Sequence, residues 1–258
     1  MNVSKETVSS GLGLAIASFA AIISTLLVNT LSNFFPPGGQ NVGEIANTVL
    51  SGVLITPANY AFAIWGLIYL GLIAYGIYQL GPNQRRSKTI QRVNWLLIVA
   101  CIAQMIWIFL FTLKSFALSV GAMLVILLSL IGAYLALQAD RSAVNRQRRW
   151  FAQYPFSIYL AWISVATVVN VASFLYVAEW NGFGLDGNVW TAVMIFVSAV
   201  IAGLVVLTRQ DFPFALVFVW AYGAIAVRHS DVSLIWGSAV VAGVALLGLL
   251  GIRQIQRS

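Results

Sequence analysis

Three stretches of this chain hold polar or aromatic groups at spacings that would gather them on one helical face. Trp65 and Tyr69 stand four apart, with Phe62 three before Trp65. Gln104, Trp107 and Phe111 fall at i, i+3 and i+7. Trp162, Ala166 and Asn170 fall at i, i+4 and i+8, with Tyr159 three residues earlier. Residues three or four apart share a face of an α-helix. An indole offers one N–H donor and a broad apolar plate, and a carboxamide both donates and accepts. Such a set suits binding a large, flat or apolar molecule better than turning over a small one. Acid–base, nucleophilic and metal chemistry have little to draw on. The single cysteine, Cys101, excludes a disulfide framework, a CxxC zinc site and a cysteine-ligated iron–sulfur cluster. The single histidine, His229, excludes bis-histidine haem ligation within one chain. Cys101 reads as a small core residue, and His229, close to Asp231, as an interfacial one.

The elements that would position these groups are membrane helices. Of 258 residues, 60% are hydrophobic and only 8% charged, against roughly 25% charged in a soluble globular chain. That composition excludes a cytosolic enzyme. With 15 Phe, 9 Tyr and 9 Trp it also excludes disorder. A bilayer core of about 30 Å needs about 20 apolar residues in helical form. Eight pieces qualify: Gly11–Asn33, Ala58–Leu80, Val93–Leu113, Phe116–Gln138, Ala152–Ala178, Asn188–Thr208, Phe212–Val227 and Val232–Ile252, the seventh being the shortest. None holds an Asp, Glu, Lys, Arg or His. Breaks fall at Pro36-Pro37-Gly38-Gly39, at Gly81-Pro82-Asn83, at charge clusters and in the Gly-rich stretch Asn181–Gly187. Proton pumps, ion-coupled carriers and voltage sensors place ionisable groups inside the membrane, and these spans offer none.

Charge sets the expected orientation. With the N-terminus cytoplasmic, the inner face carries Lys5, Arg85, Arg86, Lys88, Arg92, Arg141, Arg146, Arg148, Arg149, Arg209, Arg253 and Arg257, and the outer face only Lys114 and Arg228. The positive-inside rule then places both termini in the cytoplasm. The net charge of +7 is thereby accounted for by topology, not by nucleic acid, which would require basic residues interleaved with stacking aromatics on a soluble surface. Trp95, Trp150, Trp180 and Trp190 lie at span ends, where interfacial belts place indoles. Trp65 and Trp107 lie about 9–10 Å inside their boundaries at about 1.5 Å per residue, and Trp162 lies near mid-membrane. Ordinary helix packing is the competing account of these deeper residues.

The residues resemble the TspO/MBR family of tryptophan-rich sensory and translocator proteins. Its fifth-span pattern, Tyr-x-x-Trp with Ala four and Asn eight residues after the Trp, is matched by Tyr159, Trp162, Ala166 and Asn170. In the second span Pro57, Trp65 and Tyr69 stand in the family's register. In the third, Gln104, Trp107 and Phe111 follow its Asn-x-x-Trp element, with Gln replacing Asn, Thr112 replacing a second Phe, and Ile108-Phe109 lacking the family's Pro. The family's Phe-Gly-Pro-Val becomes Phe62-Ala63-Ile64, and its cholesterol-recognition pattern fails after Tyr176, with no Lys or Arg in reach.

The eight spans make this an all-α integral membrane protein of eight transmembrane helices, and the resemblance implies that the first five form a TspO-like bundle. Residues 1–180 would form that bundle, and 181–258 three additional helices, the likeness covering about Gly11–Ala178. It implies a porphyrin-like tetrapyrrole or similar hydrophobic small molecule held inside the bundle, under a lid formed by Phe34–Pro57. Trp65 and Trp162 would supply indole donors and stacking plates, Gln104 an amide contact, and Ala166 the space for close approach. Tyr69, Trp107, Phe111 and Asn170 would line or support the wall. No cofactor is required, and no acid or base is present for tetrapyrrole breakdown, so the expected role is receptor or carrier, not enzyme. An uncoupled transporter or lipid permease is one alternative. A structural subunit of a larger membrane complex is another. Ala239 and Gly243, four apart, are small residues that would allow a homodimer contact. The expected location is the bacterial inner membrane, with no nucleic-acid partner.

Overall fold

The computed structural model describes residues 11–139 and 145–256. Lys5, Arg141 and Arg257, counted above toward the inner face, lie outside them. The described residues contain no strand. They form eight long helices: α1 (Leu12–Phe34), α2 (Ile64–Gln79), α3 (Lys88–Thr112), α4 (Phe116–Ala139), α5 (Tyr154–Val177), α6 (Gly187–Arg209), α7 (Phe212–Arg228) and α8 (Ser233–Ile255). A 3₁₀ segment, Asn59–Ala63, leads into α2, and a π segment, Arg149–Gln153, leads into α5. With these lead-ins, seven helices are long and apolar enough to cross a membrane, at 21 to 32 residues.

The seventh piece forms a helix where expected, but α7 has only 17 residues, about 26 Å at 1.5 Å per residue. It is too short to span a full hydrocarbon core upright. The lipid-facing character of the helices is plain from their surfaces. Leu70, Ile77, Leu118, Leu128, Val200 and Val244 are each more than 60% exposed, which water would penalise and acyl chains do not. This is an all-α, multi-pass integral membrane protein.

Local chemistry sets the helix ends. Ser87 caps α3 by accepting from the Ile90 N–H, Asp186 caps α6 through Asn188, and Asp211 caps α7 through Phe214, with Pro213 in the first turn. Gln210, at φ 55°, ends α6 in the left-handed region.

The chain falls into two compact units: Met1–Asn41 with Trp65–Leu160, and Val42–Ile64 with Ala161–Ser258. None of these borders coincides with the expected division at 180/181, because the units follow which helices pack and not where a sequence pattern ends. In the first unit α3 packs along both α1 and α4. Gly76 of α2 meets α1 so closely that a Cβ there would lie 2.3 Å from the Phe19 ring. A chain of buried amides also ties its helices together. Tyr75 Oη donates to Asn94 Oδ1 at 2.5 Å, Asn94 Nδ2 to Gln79 Oε1 at 2.8 Å, and Gln79 Nε2 to the Ala15 carbonyl at 2.7 Å. Each satisfies a group that hydrocarbon would leave stranded.

In the second unit α6, α7 and α8 pack on one another. Ala239 and Gly243 are buried there, Gly243 against the Tyr222 side chain, so this chain's own packing already uses both small residues. The C-terminal end of α7 fastens the 42–64 segment. The Ala58 N–H donates to the Ala224 carbonyl, the Trp220 indole to the Ala61 carbonyl at 3.1 Å, and Arg228 to Asn47 Oδ1 at 3.0 Å.

Candidate functional site

The expected residues fall on both units. In the first unit the polar centre is Gln104, 1% exposed. Its Nε2 donates to the Tyr69 hydroxyl at 3.2 Å, and its Oε1 accepts from the Tyr159 hydroxyl. The carboxamide is thus held between two phenols, both buried. Trp65 stacks on Tyr69, with centroids 5.5 Å apart, and meets Tyr159 edge-on at 6.0 Å. Trp107 lies tilted over Phe111 at 5.0 Å, and Phe111 meets the edge of Phe116. Gln104, Tyr69, Tyr159 and Phe111 are buried, whereas Trp65 and Trp107 are only half-buried. The helical spacing of i, i+3 and i+7 sets Gln104, Trp107 and Phe111 on one side of α3, and half-buried indoles accompany the closed hydrogen bonds of Gln104.

In the second unit Trp162 is 2% exposed and meets the edge of Phe62 at 6.0 Å. Asn170 is buried four residues after the half-buried Ala166. The helical repeat sets all three on one side of α5.

Two features had no sequence signal strong enough to mark them. One is the Tyr75–Asn94–Gln79 chain, whose amides stand near helix ends where a polar residue is unremarkable. The other is a cavity of about 350 Å³ within the second unit. Its walls are Gly52–Ile55, the Val168, Ala172 and Leu175 side of α5, and the start of α6 at Trp190, Thr191 and Met194, with Tyr176 and Trp180 at its lining. Trp190 was expected as a belt residue. Its indole instead donates to the Gly182 carbonyl at 2.6 Å and its ring tilts against Trp180, 5.2 Å away.

The lid expectation for Phe34–Pro57 can be followed within each unit. Gly38 lies so close to α3 that a Cβ would sit 1.9 Å from the Thr112 carbonyl oxygen, so a side chain there would force the turn away. Gly52 lies against the Tyr176 ring, where a Cβ would come within 2.6 Å.

His229 follows α7 and is buried, with its ring hydrogen-bonded to the Leu54 backbone and its Nε2 unpartnered among the described residues. Burial pushes its pKa below the ordinary 6.5. The neighbouring Arg228 charge pushes the same way, against the opposing influence of Asp231 and the Leu54 bond.

A polytopic helical membrane protein with carboxamides and phenols paired beneath partly open indoles is the class that fold and site define. The family model described as TSPO-like protein matches residues 15–252. The chain belongs to this TSPO-like family, and the match runs on through α6, α7 and α8 instead of stopping near Ala178. No curated protein and no solved structure matches it.

Proposed function

We propose that the protein is a membrane receptor or carrier for a tetrapyrrole or similarly flat hydrophobic ligand. The observation that carries this reading is the Gln104 cluster: a carboxamide and two hydroxyls gathered in apolar spans, beside the half-buried faces of Trp65 and Trp107. A macrocycle laid on those indoles buries apolar surface worth about 25 cal/mol per Å². The polar groups then need only fix its orientation. The reading is non-enzymatic, because amides, phenols and indoles supply neither a base nor a nucleophile poised near neutral pH. The bias of basic residues favours cytoplasmic termini and a bacterial inner membrane.

Titration of the purified protein with protoporphyrin, read by tryptophan-fluorescence quenching, tests the proposal. Saturable quenching should weaken in Trp65→Phe and in Gln104→Leu. Identical curves for wild type and both variants would reject it. Porphyrin flux into proteoliposomes then separates carrier from receptor.

A further inference from the structure

The cavity at the α5–α6 connection is a second site, apart from the one proposed above. On α5 the residues Trp162, Ala166 and Asn170 occupy one face, while the cavity is lined by Val168, Ala172 and Leu175. At about 100° per residue the two sets are separated by roughly 200° around the helix. A ligand in the cavity therefore meets the opposite side of α5 from the family-type residues.

The frame of the cavity is fixed. The Trp190 indole N–H is committed to the Gly182 carbonyl, so Trp190 serves as a plate and not as a donor. Trp180 is held against Trp190 at 5.2 Å and edge-on to Phe183 at 5.3 Å. Gly52 lets the backbone touch the Tyr176 ring, which keeps that phenol at the lining. Two donors are left over. The Tyr176 hydroxyl and the Trp180 indole N–H have no acceptor among the described residues. The remaining lining is chiefly aliphatic, and it includes no Lys, Arg, His, Asp or Glu. The charged residues nearest to it in sequence, Glu179 and Asp186, are both acidic, and Asp186 already caps α6.

These features select a ligand class. No cation lines the cavity to receive an anion, which disfavours a propionate-bearing macrocycle. The volume of about 350 Å³ stands near the lower end of the roughly 300–1,000 Å³ typical of ligand sites, so a molecule of two fused rings suits it better than one of four pyrroles. Aromatic plates favour a planar body. The two free donors, on residues 48% and 38% exposed, can each exchange a partner in the medium for an acceptor on that body. We propose that this cavity binds a neutral, planar, carbonyl-bearing lipophile of the quinone class. Binding alone is proposed, with no electron transfer.

Fluorine NMR of the full chain labelled with fluorotryptophan, titrated with menadione in lipid nanodiscs, tests this. The Trp180 and Trp190 resonances, assigned by Trp→Phe substitution, should shift saturably. Ala172→Phe, which fills the cavity, should weaken the effect about tenfold or abolish it. If that variant does not fold, the shape-preserving Tyr176→Phe and the smaller-ringed Trp180→Phe, each of which removes a donor, should weaken binding, read at Trp190. Trp65→Phe, read at Trp190, should leave it unchanged, which separates this site from the porphyrin-binding proposal. Equal shifts with methylnaphthalene, which lacks the carbonyls, or with decane would mean that the cavity accepts acyl chains and would overturn the assignment. Retention of the wild-type titration in these lining variants would overturn it as well.

Discussion

The Gln104 cluster and the α5–α6 cavity are both built from aromatic and polar side chains, yet they spend their hydrogen bonds in opposite ways. In the first, two phenols and a carboxamide close on one another. In the second, one indole is tied to the backbone while a phenol and another indole keep their donors free. Depth explains the contrast. A polar group in hydrocarbon must find a partner within the protein. Tyr176 and Trp180, 48% and 38% exposed at the end of α5 and just beyond it, can exchange a partner with the medium. Closed polar sets give rigidity, and open ones give a place for a ligand to bond.

The most damaging way to probe this contrast is to break the closed set. Gln104→Leu removes the acceptor for the buried Tyr159 hydroxyl, while the Tyr69 hydroxyl keeps its bond with Asn29. A stranded group of this kind costs about 1–3 kcal/mol, so a loss of about 2 kcal/mol is expected in denaturant or thermal unfolding. Adding Tyr159→Phe should recover much of that loss, because it removes the stranded hydroxyl. A double variant no better than Gln104→Leu alone would show that the Tyr159 hydroxyl had another partner.

The open site should respond differently. Ala172→Phe places a ring in existing space, so its effect on stability should stay within about 1 kcal/mol, even as it blocks menadione. A large destabilisation would mean that the space is not available in the native protein, and the contrast between the two sites would fail.

The two sites also differ in how much of them could be read in the residues. Gln104, Trp107 and Phe111 stood out because two polar or indole groups in an apolar span repeat at helical spacing, and the structure joins Gln104 to Tyr69. Tyr159 was visible only as a neighbour of Trp162, since nothing along the chain shows which helix supplies the second phenol. The helices were legible because about 20 consecutive apolar residues admit few alternatives. Their ends were less so. The 3₁₀ entry into α2 and the π segment before α5 depend on contacts of the kind α4 makes with residues 149–153. The cavity walls are Val, Ala, Leu and Gly, which carry no periodic signal of their own. Only Trp180 and Trp190 were conspicuous there, and position alone cannot separate a belt indole from one that buttresses a pocket.

Trp190→Phe sharpens that distinction. It keeps an aromatic ring, smaller than the indole, and deletes the bond to the Gly182 carbonyl. A net hydrogen bond is worth about 1 kcal/mol, and the expected result is a local loss of that size, seen as faster amide hydrogen exchange over residues 181–187 with α3 unaffected. Unchanged exchange would return Trp190 to the role of an interfacial anchor.

The smallest expected effect is a dependence on pH that only one of the two sites should show. Leu54 is a wall residue of the cavity, and His229 is bonded to its backbone while burial and the Arg228 charge hold the imidazole's pKa below 6.5. The unfolded chain therefore takes up a proton first as pH falls through 6.5. The folded form, with its buried Nε2 unpartnered, is penalised until its own lower pKa is passed, below which the penalty is constant. Stability should be full near pH 7.5 and decline as pH falls below 6.5, whereas menadione affinity should fall only at lower pH, once the folded histidine itself takes up a proton. His229→Gln should flatten both curves. The Gln104 cluster contains only a carboxamide and phenols, which do not titrate there, so porphyrin quenching should hold steady over the same range. A decline that persists in His229→Gln would shift the cause away from this histidine, and an equal decline at both sites would erase the difference between them.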